Sequence, residues 1–333
     1  MMIAVLVFSW NVASGNVQLR LLQQPKDTLR LYAVGDINLG RRAARERLLA
    51  GDTLYSFRAL SDILRGADIT FGNLESPIVP DASLQRDSAD VFAAPALAAD
   101  ALAQAGFDIV STANNHAWDG GEPAVRETMR QLTRAGVLFV GSALGQDMAE
   151  QPVIVRRRGW RVAFFALTRA WNPAPYAFRT HAGSQYVAWG DTARIYPAIR
   201  ELKASGRADL VIVSMHGGTE YADSQSHHMQ DLARGVVDAG ADLVLGHHPH
   251  VLQPVVRYRG KPIVQSLGNF IFLQNDPWTR VSAILRILVT PTGRIRVSAI
   301  PVRAGHQATL ATGATVDSVR RRLGVPLITS GIP

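Results

Sequence analysis

Ala241-Asp-Leu-Val-Leu-Gly-His-His-Pro-His250 opens on an aspartate, continues as a short apolar run and closes on three histidines. An apolar run of that length bounded by turn-forming residues reads as a buried strand, with the histidines beyond its carboxyl end. The same layout recurs in Ala67-Asp-Ile-Thr-Phe-Gly-Asn-Leu-Glu75, Phe107-Asp-Ile-Val-Ser-Thr-Ala-Asn-Asn-His116 and Ala208-Asp-Leu-Val-Ile-Val-Ser-Met-His216. A fifth run, Leu29-Arg-Leu-Tyr-Ala-Val-Gly-Asp36, also ends on a carboxylate. Open α/β sheets gather their ligands beyond strand carboxyl ends, so the repeat points to one site.

Between these strands lie segments with helical spacing, each followed by a glycine suited to a left-handed cap. They are Ser56 to Arg65 before Gly66, Pro95 to Ala105 before Gly106, Glu122 to Ala135 before Gly136, Asp191 to Ser205 before Gly206, and Ser226 to Ala239 before Gly240. Alternating strands and helices argue for an α/β fold. Three pairs of apolar runs flank short glycine-containing turns and read as hairpins. These turns are Arg158-Gly159, Arg259-Gly260 and Pro291-Thr-Gly293. Parallel units and hairpins together predict two mixed sheets packed face to face with helices outside. Thr168 to Gly190 lacks periodicity and reads as a lid or binding loop, with His181 inside it.

A chain of 333 residues with 47% apolar content can bury a large core. Its net charge of +8 comes from arginine, since Lys26, Lys203 and Lys261 are the only lysines. Such a field attracts anionic partners. The arginines are scattered apart from Arg156-Arg-Arg158 and Arg320-Arg-Arg322, and no basic and aromatic stripe accompanies them, which argues against nucleic acid. Met2-Ile-Ala-Val-Leu-Val-Phe-Ser-Trp10 is apolar and precedes small residues, as in a signal peptide or clipped anchor. Residues 1–27 thus read as a signal-like or anchor segment with a linker, 28–305 as the folded domain, and 306–333 as a tail with a short helix. The expected location is extracytoplasmic or membrane-associated, with the cytoplasm as the alternative.

Without cysteine, any metal must be held by nitrogen and oxygen. The strand ends offer Asp36 and Glu75 as anions, Asn115 as a carbonyl oxygen, and His216, His248 and His250 as imidazoles. Paired ions held about 3.5–4 Å apart need a bridging ligand. Manganese or iron suits such a mixed shell best, with zinc an alternative; magnesium and calcium prefer oxygen alone. Asn73 and Asn114 read as turn caps, and Asp68, Asp108, Asp209 and Asp242 as turn residues. His227 and His228 read as solvated, and His306 as part of the polar tail.

The strings Gly35-Asp-Ile-Asn-Leu-Gly40, Gly72-Asn-Leu-Glu75, Asn114-Asn-His116, His216-Gly-Gly-Thr-Glu-Tyr221, Gly246-His-His-Pro-His-Val-Leu-Gln-Pro254 and Ser266-Leu-Gly-Asn-Phe270 occur in one order over about Thr28 to Val302. This ordered set resembles the calcineurin-like metallophosphoesterase superfamily and, within it, the CapA-like poly-γ-glutamate capsule-synthesis family. The resemblance implies a four-layer αββα sandwich of two mixed β-sheets. It implies two divalent ions, the first held by Asp36, Glu75 and His250, the second by Glu75, Asn115, His216 and His248. Glu75 is then the bridge. His116 takes the place of a histidine that stabilises or protonates the leaving group, with Asp119 behind it and Arg41 available to an anionic substrate. His247 is set aside because the motif spacing selects His248, and Glu220, Gln253 and Asn269 are expected to orient ligands. Asn38 stands where the wider superfamily has a histidine, which thins the first ion's shell.

The function implied is phosphoesterase-type hydrolysis in the biosynthesis of an anionic cell-surface polymer. A phosphoester or polyglutamate-like polymer would be the substrate, and membrane polymer-synthase proteins would be partners. The alternatives are a general metallophosphoesterase acting on nucleotides or phosphodiesters, and a non-catalytic component of a polymer synthase or exporter.

Overall fold

The aspartate-led runs become parallel strands shared between two sheets. In one sheet β1 (Leu29–Ile37), β2 (Ile69–Leu74), β3 (Ile109–Ser111) and β4 (Leu138–Val140) are parallel neighbours. In the other, β6 (Trp160–Thr168), β7 (Leu210–His216), β8 (Leu243–His247) and β10 (Lys261–Leu267) run parallel. The computed structural model describes residues 25–79, 81, 91–172 and 185–331. The signal-like segment, apart from residues 25–27, and His181 lie outside the described residues.

Hairpins add the antiparallel strands. β5 (Val153–Arg157) pairs with β6, β9 (Leu252–Tyr258) with β10, and β12 (Val281–Val289) with β13 (Ile295–Arg303). Arg158 and Gly159 have φ of 52° and 77°, and Arg259 and Gly260 have 47° and 76°. Two successive positive φ values are what a two-residue hairpin turn needs. With β11 (Asn269–Ile271) beside β1 and β14 (Thr309–Leu310) at the edge, the sheet orders are β14-β13-β12-β1-β2-β3-β4 and β5-β6-β7-β8-β10-β9.

Period-two alternation then sorts side chains into three apolar layers. Leu31, Phe71, Phe164, Ile212 and Leu245 fill the space between the sheets, where Phe71 and Phe164 stack at 5.6 Å. The outer face of the first sheet, including Tyr32 and Val34, packs under α1 (Arg42–Leu49), α2 (Ser61–Arg65), α3 (Leu97–Ala105) and α4 (Gly121–Ala135). Val211, Val213 and Met215 pack under α6 (Thr192–Ala204) and α7 (His227–Ala239) on the other side. The result is the expected helix–sheet–sheet–helix sandwich. A single turn, α5 (Gln146–Ala149), precedes β5. A last helix, α8 (Ala314–Leu323), buries Val319 and Leu323 in the layer between the sheets.

Two local expectations need correction. Of the segment from Ser56 to Arg65 only Ser61–Arg65 is α-helix. The preceding turns bond three residues back, Phe57 N–H to Leu54 O and Leu60 N–H to Phe57 O, which aims Phe57 at Phe107 and Phe270. Tertiary packing overrides helical spacing there. Gly66, at φ −72°, is also not left-handed, unlike Gly106 at 100° and Gly136 at 76°.

The leading aspartates share one task. Asp68 accepts from Arg30 N–H at 2.7 Å, and Asp108 from Thr70 N–H at 2.9 Å. Asp209 accepts from Arg161 N–H and Asp242 from Val211 N–H, both at 2.9 Å. Each carboxylate thereby secures a main-chain donor at or near the amino end of the preceding parallel strand, where the ladder has no partner to offer. One end of the repeat is structural; its other end holds the chemical groups.

Candidate metal centre

Strand carboxyl ends from both sheets converge on one buried cluster. Asp36 closes β1, Glu75 follows β2, and Asn115 and His116 lie in the turns after β3. His216 ends β7, and His248 and His250 follow β8. Gly35 and Gly246 permit this convergence, since a Cβ on either would lie 1.9 Å from Gly268 O and 2.0 Å from Gln265 O respectively. His248 and His250 carry positive φ of 96° and 58° on either side of Pro249. Non-glycine residues held there are strained, a common feature of binding sites.

All six expected ligands are buried, Asp36 and Glu75 at 0% exposure. Their donor atoms form two triads, Asp36–Glu75–His216 and Glu75–His248–His250, each with ligating atoms within 4.8 Å of one another. Glu75 belongs to both. Glu75 Oε1 lies 3.6 Å from His216 Nε2 and 3.8 Å from His250 Nε2. Asn115 joins through its Oδ1, which accepts from His216 Nε2 at 2.7 Å. This grouping differs from the one implied by the resemblance, in which His250 accompanies Asp36 and His248 accompanies His216. The alternatives overlap in space, since His250 Nδ1 is 3.4 Å from Asp36 Oδ2 and the His216 and His248 rings are 4.8 Å apart.

The electrostatics of this cluster suit a cation. Burial alone would raise Asp36, but hydrogen bonds and charge from His247 and His250 hold it well below the usual carboxylate range. Glu75 moves the other way, raised well above its ordinary value by burial and by the charge of Asp36. Burial lowers His216 well below 6.5, helped by His248, and lowers His248 to about 3, helped by His250. Neutral imidazoles are the ligating form. Both Glu75 oxygens are buried and accept no hydrogen bond among the described residues, and His248 Nδ1 is likewise without one. A buried carboxylate without donors is costly unless a positive charge meets it. These donors therefore fit divalent metal.

Further side chains fix the ligands. Asn73 donates to Asp36 Oδ1 at 2.9 Å and lies 3.2 Å from His216 Nδ1, linking the two sheets. Its own oxygen accepts from Asn114, which also bonds Leu74 O. Asn73 is thus more than the turn cap its sequence position suggests. His247, set aside as a ligand, is buried and sits 3.2 Å from Asp36 Oδ1. Asn269 meets His250 Nδ1 at 2.9 Å, whereas Gln253 reaches away to Ala222 O. Asn38 Oδ1 accepts from Gly40 N–H at 3.0 Å, so the turn already uses its one ligating atom.

His116 Nδ1 donates to Asp119 Oδ2 at 2.7 Å, and Asp119 is held in turn by Phe92 N–H. The imidazole stacks on Phe92 at 3.9 Å. Asn172, which sequence reasoning did not single out, accepts from Asn115 Nδ2 at 2.9 Å and lies 3.2 Å from His116 Nδ1. A cleft of about 560 Å³ opens over these groups and is lined by Arg41, Asn115, His116, Glu220, Tyr221 and His250, among others. Burial and Glu220 push Tyr221 up to about 12, so its phenol keeps its proton. Tyr221 was missed because its place above His250 depends on the bond from Tyr221 N–H to Pro249 O, a contact between two loops.

Comparisons with known proteins agree with the ordered strings. The bacterial capsule synthesis protein PGA_cap model matches residues 30–274. Capsule biosynthesis protein CapA of Bacillus anthracis is 30% identical over 302 residues, covering 89% of this chain and 73% of that protein. PGA biosynthesis protein CapA of Bacillus subtilis is 28% identical over 329 residues, covering 96% and 82%. Among solved structures, sulfate thiohydrolase SoxB of Thermus thermophilus aligns with a TM-score of 0.49 at 16% identity, covering 84% of this chain and 57% of that one. With most of its length matched and its motifs in order, the chain belongs to the CapA-like family of bacterial capsule synthesis proteins.

Proposed function

We propose that the protein is a two-metal hydrolase with phosphoesterase-type chemistry, acting in the synthesis of an anionic surface polymer such as a polyglutamate. The observation that carries this reading is Glu75, wholly buried, without a hydrogen-bond donor among the described residues and common to both triads. Asp36, Glu75, Asn115, His216, His248 and His250 would hold the ions, with manganese or iron suited to the donors and zinc the alternative. Bound there, a pair of divalent ions supplies a water of lowered pKa and a counter-charge for an oxyanion.

The chain's own groups do the rest. Arg41 stands at the cleft with its guanidinium 5.7 Å from the Phe92 ring centroid, placed to meet a phosphate or carboxylate on two oxygens. His116, fixed through Nδ1 by Asp119, has Nε2 left to pass a proton to the departing oxygen, and the carboxylate balances the ring when it carries both protons. The protonated Tyr221 phenol can donate to the substrate. The polymer-related role rests on the names of the Bacillus relatives. Membrane-bound synthase subunits are the partners this role calls for.

A second reading, a non-catalytic synthase or exporter component, draws on Asn38, whose oxygen is committed to Gly40. Hydrolysis of bis(p-nitrophenyl) phosphate by metal-loaded wild type and His216→Ala separates the two. The hydrolase reading expects a metal-dependent rate that falls at least about 100-fold in the variant, in line with loss of charge stabilisation in the transition state. Metal-loaded protein that cleaves neither ester nor amide would favour the assembly role.

A further inference from the structure

The three hairpin turns project from the end of the molecule opposite the metal centre, and arginine stands in or beside each. β6 is parallel to β7, β10 is parallel to β8, and the end of β12 lies against the start of β1. The turns at Arg158-Gly159, Arg259-Gly260 and Pro291-Thr-Gly293 therefore share the amino ends of the parallel strands. Two of them meet where Arg257 Nη2 donates to Ile295 O at 3.2 Å. A concavity of about 500 Å³ between them is lined by Arg257, Arg259, Lys261, Arg294 and Arg296. The remaining turn adds exposed Arg156, Arg157 and Arg158.

Carboxylates neutralise only part of this charge. Arg157 pairs with Asp108, Arg158 with Asp68, Arg259 with Asp238 and Lys261 with Asp242. Arg257 donates to the main-chain oxygens of Gly260 and Ile295. Arg156, Arg294 and Arg296 are exposed and have no carboxylate within ion-pair distance among the described residues. The guanidinium fork matches phosphate oxygens in pairs.

We propose that this basic end docks on an anionic bilayer surface, with the exposed arginines seating lipid phosphates and the metal centre opening away from the membrane. The charge is spread over three turns instead of following one groove, as a surface requires and a linear polymer does not. The described chain also begins at this end. Asp27 N–H bonds Arg158 O at 3.1 Å, Trp160 Nε1 donates to Asp27 O at 2.7 Å and Lys26 pairs with Asp209 at 2.8 Å, so Lys26 and Asp27 belong to the same face. The intervening strands of seven to nine residues set the cleft about 25–30 Å from that face. Docking does not depend on hydrolysis.

Co-sedimentation of the full chain with phosphatidylcholine vesicles, with and without phosphatidylglycerol, tests this. Wild type should bind the anionic vesicles more strongly than the neutral ones, and the difference should shrink as salt rises. Arg294→Gln with Arg296→Gln should weaken partition roughly 30-fold, given the attraction expected for each basic residue near such a surface. Metal content should not change. The same loss of charge on α8, Arg320→Gln with Arg321→Gln, should cost less than about threefold. Equal binding to neutral vesicles, or equal weakening by both pairs, would overturn the proposal. So would capture of soluble polyglutamate by a protein that ignores anionic vesicles.

Discussion

At Glu75 two demands meet, because burial and Asp36 favour the acid form while His216 and His250 stand within 4 Å of one oxygen. Metal-free Glu75 therefore keeps its proton above its ordinary value of 4.5. His216 and His248, lowered by burial, have already lost theirs in mild acid. An ion that binds the Glu75 carboxylate must then displace its proton. Affinity for manganese should rise about tenfold per pH unit above 4.5 and level off past the raised Glu75 value. Calorimetry across a pH series, in buffers of different ionisation enthalpy, would count the proton. The slope should be shallower in Glu75→Gln; a flat wild-type profile would contradict this account of the residue. The ligand types were legible in the sequence because they close strands. Asn73, Asn172 and Tyr221 were not, because their tasks arise only when loops from different units meet.

At the scale of elements, the repeat divides into structural aspartates before strands and chemical groups after them. Asp209 shows what the structural half does. It accepts from Arg161 N–H, pairs with the Arg161 guanidinium at 2.9 Å and with Lys26 at 2.8 Å, and is held well below 3.8 despite partial burial. Asp209→Ala should lower unfolding free energy by about 1–3 kcal/mol, through main-chain and cationic groups left unpaired. A depressed carboxylate contributes stability above its unfolded value and loses it as pH falls through the folded one. The difference between wild type and variant should thus be full above about pH 4 and shrink in stronger acid, as urea unfolding at several pH values would show. A constant difference down to pH 2 would contradict the pairing. Strands, hairpins and most helices were legible from periodicity and glycine. The segment before Ser61 was not, since Phe57 is placed by contacts with Phe107 and Phe270 rather than by local spacing.

Across the whole molecule, both sheets contribute candidate ligands to one cluster and share one apolar layer. Helix α8, from the region that reads as a tail, reaches into that layer. Leu323→Ala should cost about 2–5 kcal/mol, measurable as a lower urea midpoint. A near-neutral effect would mean that α8 is only loosely docked. Joining the sheets through metal should also stabilise the fold, because ions bind the native arrangement and not the unfolded chain. The sandwich could be foreseen from alternating and paired runs. The basic end could not, because its arginines are distant in sequence and only the common direction of three hairpins brings them together. The account turns on the proposal that Glu75 is shared between two ions, and the most direct measurement is metal content per chain after manganese loading and removal of excess. Two ions per wild-type chain, with a marked loss in a folded Glu75→Gln variant, is the predicted result. A folded wild type that retains no metal, or a variant that retains the full complement, would contradict it.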